Sequence, residues 1–282
     1  MMGDARLTAR LLQMTGMFYA KPTANIPQAC GSAMAAKAAY RFLDNEKVQW
    51  QAILQPHYAA TEARVREHAL VLVAQDTTTL NYSAHSHTEG LGPIGTASEK
   101  VRGLMVHDTM AFNVQGVPLG LLDLQCWARE GIGSRAKRHS LPIEDKESFK
   151  WIESYQAVSA VQRRARNTQI VLMADREADI HELFAAQAAS ARGAQLLIRA
   201  ERSRNRQVLD ADEDTHASLW DTLAQQPLLG TRELLIPPAE SRAARQCTLA
   251  VRSAPVTLKP PKRSAHLAPV EVWAVLAQEL QQ

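Results

Sequence analysis

Two short apolar runs, 69–74 and 169–174, constrain the fold of this chain more than anything else in its 282 residues. The first reads Ala69-Leu70-Val71-Leu72-Val73-Ala74 and the second Gln169-Ile170-Val171-Leu172-Met173-Ala174. Each is unbroken, too short for a typical helix and rich in branched residues, the pattern of a strand buried on both faces. Each also runs into an aspartate, Asp76 after Gln75 in one case and Asp175 directly in the other. Between them lies a helical stretch at 145–166. Trp151, Tyr155 and Val158 share one face of it, acids crowd its first turn, and Arg163, Arg164 and Arg166 crowd its last. Strand, helix, strand with this patterning calls for an α/β layered domain.

The flanking segments have different periods. Leu7, Leu11, Met14 and Phe18 share a helix face, with Asp4 placed as N-cap and Pro22 as terminator. A second helix is expected over 26–42, with Pro27 in its first turn and an alanine face through Ala33, Ala36 and Ala39. Trp50, Ile53 and Leu54 begin a third amphipathic turn before Pro56. Strand-like runs at 104–112 and 117–127, joined by Asn113-Val114-Gln115-Gly116, read as a β-hairpin, and 89–95 as a glycine-rich loop. A helix is expected over 178–191. Further strands are expected at 196–200, 232–236, 247–252 and 270–277. The domains drawn from these changes are a helical one at 1–68, an α/β core at 69–195 and a β-rich segment at 196–282.

Asp76 and Asp175 are the first candidates for chemistry. A carboxylate at the end of a buried strand is costly unless paired, hydrogen-bonded or bound to a metal. Two on neighbouring strands could converge on a hard divalent cation, the arrangement used in phosphodiester chemistry. Strand ends and helix caps also favour aspartate for purely structural reasons. His85 and His87 lie two residues apart in a loop and read as loop histidines, and His107 as a structural residue. Glu177 and Asp179 read as first-turn helix charges, with Asp179 bracing Arg176.

Composition narrows the classes. Mean hydropathy is −0.24 and no apolar run approaches the roughly 20 residues of a membrane-spanning helix. The first residues lack an apolar core of the secretory kind, and Cys30, Cys126 and Cys247 are too dispersed for a disulfide framework. Both features lead to the expectation of a cytoplasmic protein. Net charge is only +3, yet 23 of the 32 basic residues are arginine, the side chain best shaped for phosphate.

Several motifs, in order, resemble those of bacterial insertion-sequence transposases with a DDE triad, of the cut-and-paste type of transposon five. They are Gly3-Asp4-Ala5-Arg6-Leu7, Ile26-Pro27-Gln28-Ala29-Cys30-Gly31-Ser32 and Ala38-Ala39-Tyr40-Arg41-Phe42-Leu43-Asp44-Asn45. Asp76-Thr77-Thr78, Arg102-Gly103 with Val106-His107, and Val117-Pro118-Leu119-Gly120-Leu121-Leu122 follow. Lys146-Glu147-Ser148 with Trp151 and Asp175-Arg176-Glu177-Ala178-Asp179-Ile180 complete the series. The resemblance implies a ribonuclease-H-like mixed-sheet core, a helical DNA-binding module before it and a β-rich insertion after it. It makes Asp76 and Asp175 catalytic metal ligands for Mg²⁺ or Mn²⁺. The reaction implied is cleavage at transposon ends and strand transfer. Arg6, Arg10, Lys37 and Arg41 fall where the family contacts duplex inverted-repeat ends. Arg199 falls where it handles phosphate, although Arg202, Arg204 and Arg206 also read as a mobile basic loop.

One element of the family pattern is missing. The third acid is a glutamate in a Tyr-x-x-Arg-x-x-x-Glu helix, and no such motif occurs here, while Glu271 and Glu279 sit in or beside a strand. The expectation is therefore a C-terminally truncated transposase, inactive alone, with one sheet face uncovered. The alternatives are a non-catalytic remnant that occupies transposon ends, alone as a homodimer or by pairing with an intact transposase, and an unrelated phosphoesterase using Asp76, Asp175 and His107.

Overall fold

The computed structural model describes residues 4–96, 99–131, 141–209, 216–239 and 242–280. It holds a helical module followed by two sheets. Helix α1 (Ala5–Ala20) starts at Asp4, whose carboxylate accepts from the Arg6 N–H. Helix α2 (Ile26–Cys30) opens with an Asn25–Gln28 capping box and carries Pro27 in its first turn. The single helix expected over 26–42 is in fact two, because Gly31 takes φ +69 and Ser32 caps a new helix, α3 (Ala33–Leu43). Met14, Cys30, Ala36, Ala39 and Phe42 form this module's core. The small alanines let α3 approach α1 closely.

Helix α4 (Trp50–Val65) extends well past the amphipathic turn read before Pro56 and runs straight through the proline. The proline forfeits one hydrogen bond, but Thr61 and Val65 are buried further along, and that packing against the first sheet outweighs the loss.

The first sheet contains β1 (Leu70–Asn81), β2 (Gly92–Pro93), β3 (Arg102–Asn113), β4 (Pro118–Trp127), β5 (Gln169–Ala174) and β6 (Gln195–Ile198). β1, β3 and β4 are antiparallel neighbours, with the expected hairpin turning at Gly116 (φ +82). β5 runs parallel to β1, and β6 parallel to β5. The short β2 lies in the glycine-rich loop and pairs with Gly103 and Arg102. β6 thus belongs to this sheet, although its sequence groups it with the β-rich segment.

Helix α5 (Lys150–Arg164) starts later than the charge pattern implies, after two 3-10 turns at Ile143–Asp145 and Glu147–Phe149. It packs with α4 and α6 (His181–Ala188) on one face of the sheet. There Val71, Val73, Ile170 and Leu172 meet Trp151, Tyr155 and Val158. The opposite face stays half-buried or exposed, with Leu72, Val106, Met110, Val171 and Met173 partly covered and Leu197 60% exposed.

The second sheet has the order β11-β10-β7-β8, with β9 also on β10. Its strands are β7 (Gln207–Leu209), β8 (His216–Ser218), β9 (Gly230–Ile236), β10 (Arg245–Leu258) and β11 (Val270–Glu279). Helix α7 (Leu219–Ala224) and Phe184 of α6 cover its core of Val208, Ala254, Val256 and Leu258. β7 and β8 are too short to read from periodicity. No helix among the described residues is long and apolar enough to cross a membrane.

Candidate active site and nucleic-acid interface

Register sets the two aspartates at the same end of the sheet. Ala74 and Met173 are the last pair of the parallel β1–β5 ladder, and Asp76 and Asp175 each follow two residues beyond it. Asp175 keeps extended backbone (φ −77, ψ −168). Buried side chains on β1 alternate through Val71, Val73 and Gln75, which turns Asp76 to the opposite, open face. The next strand continues the row. Ala174 pairs with Ile198, and the Arg199 N–H donates to the Ala174 carbonyl at 3.1 Å, so Arg199 stands beside Asp175.

The carboxylates are fixed locally. Asp76 Oδ1 accepts from the Thr77 N–H at 2.7 Å, and Asp175 Oδ1 from the Glu177 N–H at 2.8 Å. Both residues are exposed, as is Arg199, which corrects the burial expected of an aspartate ending an apolar strand. The apolar run fills the core on one face only, and the chain turns toward solvent where the aspartates begin. Each carboxylate retains an oxygen without a partner among the described residues, the donor set a hard cation takes. Among the described residues, however, no group of three His, Cys, Asp or Glu side chains comes together to hold a metal.

Asp108 is a neighbour that sequence reasoning missed. It pairs directly with Asp76 across β1 and β3, on the same face. Partial burial, and after it the charge of Asp76, raise its carboxyl above the ordinary range. The β3 pattern carried the signal: Gly103, Met105, His107, Thr109 and Ala111 alternate as the buried set.

That alternation overturns one grouping. His107 is fully buried on the α5 side, edge-on to Trp151 with centroids 4.6 Å apart, so it cannot join Asp76 and Asp175. Its Nδ1 lies 2.9 Å from Thr77 Oγ1 and its Nε2 3.2 Å from Gln75 Oε1. Burial first, and then Lys150, push its pKa down to about 4, so the ring is neutral. It is the structural residue expected, and it pins both neighbours of Asp76 from beneath. His85 and His87 are exposed and gather no metal-binding group among the described residues.

Lys150 was also missed. It is 7% exposed, with Nζ over the rings of Trp151 (5.3 Å) and Trp127 (5.9 Å). It lies 3.7 Å from Glu177 Oε2 and 3.9 Å from Glu147 Oε1, while Glu147 accepts two hydrogen bonds from Arg129. The turn after Asp175 is thereby tied to α5.

Asp179 does not brace Arg176, nor does it act as a solvent-facing helix charge. It is 2% exposed and bonded to Arg206, while Arg176 lies 3.9 Å from Glu201. Arg206 is 7% exposed, and Arg204 donates to the Asp179 carbonyl, so neither belongs to a mobile loop.

The basic residues of the helical module divide. Arg6 is exposed and donates to Asp4, and the half-buried Arg10 donates to Gln13. Lys37 and Arg41, one turn apart on α3, are exposed and line a groove of about 860 Å³ with Pro27, Ala33, Ala36, Tyr40, Leu43 and Asp44. The groove joins two cations to an exposed aromatic ring, a surface suited to a nucleic-acid backbone.

Residues 1–48 match the family model described as transposase DNA-binding. The match covers α1, α2 and α3 and includes Arg6, Arg10, Lys37 and Arg41. It supports a transposase-related DNA-binding role for the chain.

Proposed function

We propose that this chain is a DDE-type transposase component that grips transposon ends with α1–α3 and presents Asp76 and Asp175 to the scissile phosphate. The observation that carries this reading is that Asp76 and Asp175 each follow by two residues the last pair of the parallel β1–β5 ladder, in the same chain as a segment matching the transposase DNA-binding model. Supporting it, antiparallel β4, β3 and β1 followed by parallel β5 and β6 is the strand arrangement of a ribonuclease-H-like core.

In this reading Asp76 and Asp175 are the residues that would hold Mg²⁺ or Mn²⁺. Such a cation would supply Lewis acidity toward the phosphodiester and the attacking water. The backbone N–H groups of Thr77 and Glu177 orient the two carboxylates, and Arg199 offsets charge on the phosphate beside them. Water replaces the 3′-oxygen at phosphorus and leaves a free 3′-hydroxyl. That hydroxyl later displaces a target-strand oxygen in the same way, without a covalent protein intermediate.

A second reading follows from the ligand count. Among the described residues no third acid joins Asp76 and Asp175 to hold a metal. Two carboxylates alone hold one weakly, so in this reading the chain binds ends without cleaving them and competes with an intact transposase. Manganese titration followed by electron paramagnetic resonance, with duplexes selected from a random pool, tests both halves. Asp76→Asn and Asp175→Asn should each weaken Mn²⁺ binding tenfold or more and leave metal-free DNA binding unchanged. Unaltered Mn²⁺ affinity in both variants would refute the metal site. Efficient Mg²⁺-dependent nicking that Asp76→Ala abolishes would refute the non-cleaving reading.

A further inference from the structure

The end of the first sheet remote from Asp76 holds a second basic feature, assigned to nothing above. A cavity of about 640 Å³ opens there between the start of β5, the end of α5 and the turn into β6. Arg163, Arg166 and Arg192 line it together with Gln162, Asn167 and Thr168. All three arginines are exposed, and no hydrogen bond or ion pair holds their guanidinium groups among the described residues. Their neighbour Arg164 is different, being spent on a two-pronged contact with Glu62.

The scaffold beneath them is stiff. Gln162 Nε2 donates to the Thr168 carbonyl at 2.8 Å, and its Oε1 accepts from the Ile170 N–H at 2.7 Å. Thr168 Oγ1 reaches the Val65 carbonyl at 3.3 Å. The turn that presents Arg166 is therefore clamped to α4, α5 and β5 at once. Segments 62–69, 162–169 and 192–195 carry six arginines against two glutamates, an excess larger than the +3 of the whole chain. The C-terminal end of α5 contributes about half a negative charge here, too little to neutralise three free guanidinium groups.

We propose that this cavity binds the phosphate backbone of duplex DNA, as a sequence-independent contact separate from the α1–α3 module and from Asp76 and Asp175. Two of the arginines come from the end of α5 and its following turn and the third from the turn into β6, and all stay exposed, which suits successive phosphates of a strand better than one enclosed anion. From Leu70 to Asp76 the strand spans about 20 Å, so phosphates held here lie several base pairs from the carboxylates or on another duplex. The contact does not require the chain to cleave DNA.

The test uses the full chain and a labelled random-sequence duplex, followed by anisotropy between 50 and 200 mM salt. Replacing Arg163, Arg166 and Arg192 together by glutamine should flatten the slope of log affinity against log salt by about 2 to 3, from about 0.9 per phosphate neutralised. Affinity at low salt should fall at least tenfold. The triple lysine variant, which keeps the charge, should retain most of the slope. Both quantities are read in metal-free buffer, whereas the carboxylate reading is read by Mn²⁺ titration, so failure of the carboxylate reading and failure of this one are distinguishable. Circular dichroism and urea midpoints matching wild type establish the fold of each variant. If the triple glutamine variant unfolds, single Arg166→Gln and Arg192→Gln should each lower the slope by about one. Wild-type affinity and slope in the folded glutamine variants would overturn the proposal. So would protection of these arginines by inorganic phosphate with no change in duplex binding, which would make this a free-anion site.

Discussion

Asp179 and Arg206 form a buried ion pair that fastens the turn after Asp175 to the second sheet. Asp179 Oδ1 accepts from Arg206 Nε at 2.9 Å and Nη2 at 2.5 Å, and its Oδ2 accepts from the Glu201 N–H at 2.9 Å. The Asp179 carbonyl accepts from Arg206 Nη2 as well. Arg206 directly precedes β7, and Asp179 lies four residues after Asp175, so the pair links the candidate site to the β-rich segment.

Asp179→Ala should therefore cost about 3 kcal/mol or more, because it strands a buried guanidinium charge. Replacing both partners, Asp179→Ala with Arg206→Met, should cost less than the sum of the two single changes. Urea unfolding measures the stabilities, and limited proteolysis between β6 and β7 reports local release. Additive single costs would show that the pair is not coupled.

These contacts mark where sequence reading stopped. Apolar runs and caps made β1, β5, α1 and the β3–β4 hairpin legible, because local hydrophobic periodicity determines those elements. Asp76 and Asp175 were readable as a pair because both end such runs. The roles of Asp179, Arg206, Lys150 and Asp108 were not readable, since each is settled by a partner from another element. Helix α4 continuing through Pro56 is the same case, with tertiary packing overriding a local penalty. The break at Gly31 ran the other way: the alanine-rich pattern masked a left-handed cap.

His107 should give the protein a titration of its own. Its folded pKa of about 4 lies below the ordinary 6.5, so the unfolded chain binds the extra proton between those values. The stability it contributes is complete above pH 6.5 and is lost as pH falls toward 4, about 3 kcal/mol over the window. Urea midpoints across this range should fall more steeply in wild type than in His107→Gln. Lys150→Met should raise the His107 pKa, measurable by NMR, because the ammonium is one cause of its depression. A wild-type profile parallel to that of His107→Gln would contradict this assignment.

Gly103 lies where β3 passes the far end of β1. A Cβ added there would meet the Leu80 carbonyl oxygen at 1.8 Å, a backbone atom that cannot swing aside. Gly103→Ala should force β1 and β3 apart locally and cost roughly 1–3 kcal/mol. Amide exchange should quicken first around Leu80 and Asn81 and reach Asp76 less. Gly131→Ala, with open space at its Cβ position, is the control and should be near neutral. Equal effects from the two would remove the steric explanation.

The α3 groove should carry a separable share of DNA binding. Lys37 and Arg41 are one turn apart, exposed, and paired with no acid among the described residues, so each can meet a phosphate without breaking an internal bond. Arg6 and Arg10 first have to leave Asp4 and Gln13. Lys37→Gln and Arg41→Gln should thus weaken duplex binding more than Arg6→Gln or Arg10→Gln, each lowering the salt slope by about 0.9. Where Tyr40 stacks or packs against the DNA, Tyr40→Ala should reduce affinity and leave the slope unchanged, since it removes no charge. Anisotropy titrations on one duplex at several salt concentrations measure both quantities. If Arg6→Gln and Arg10→Gln prove the more damaging pair, the DNA path follows α1 and not the groove beside α3.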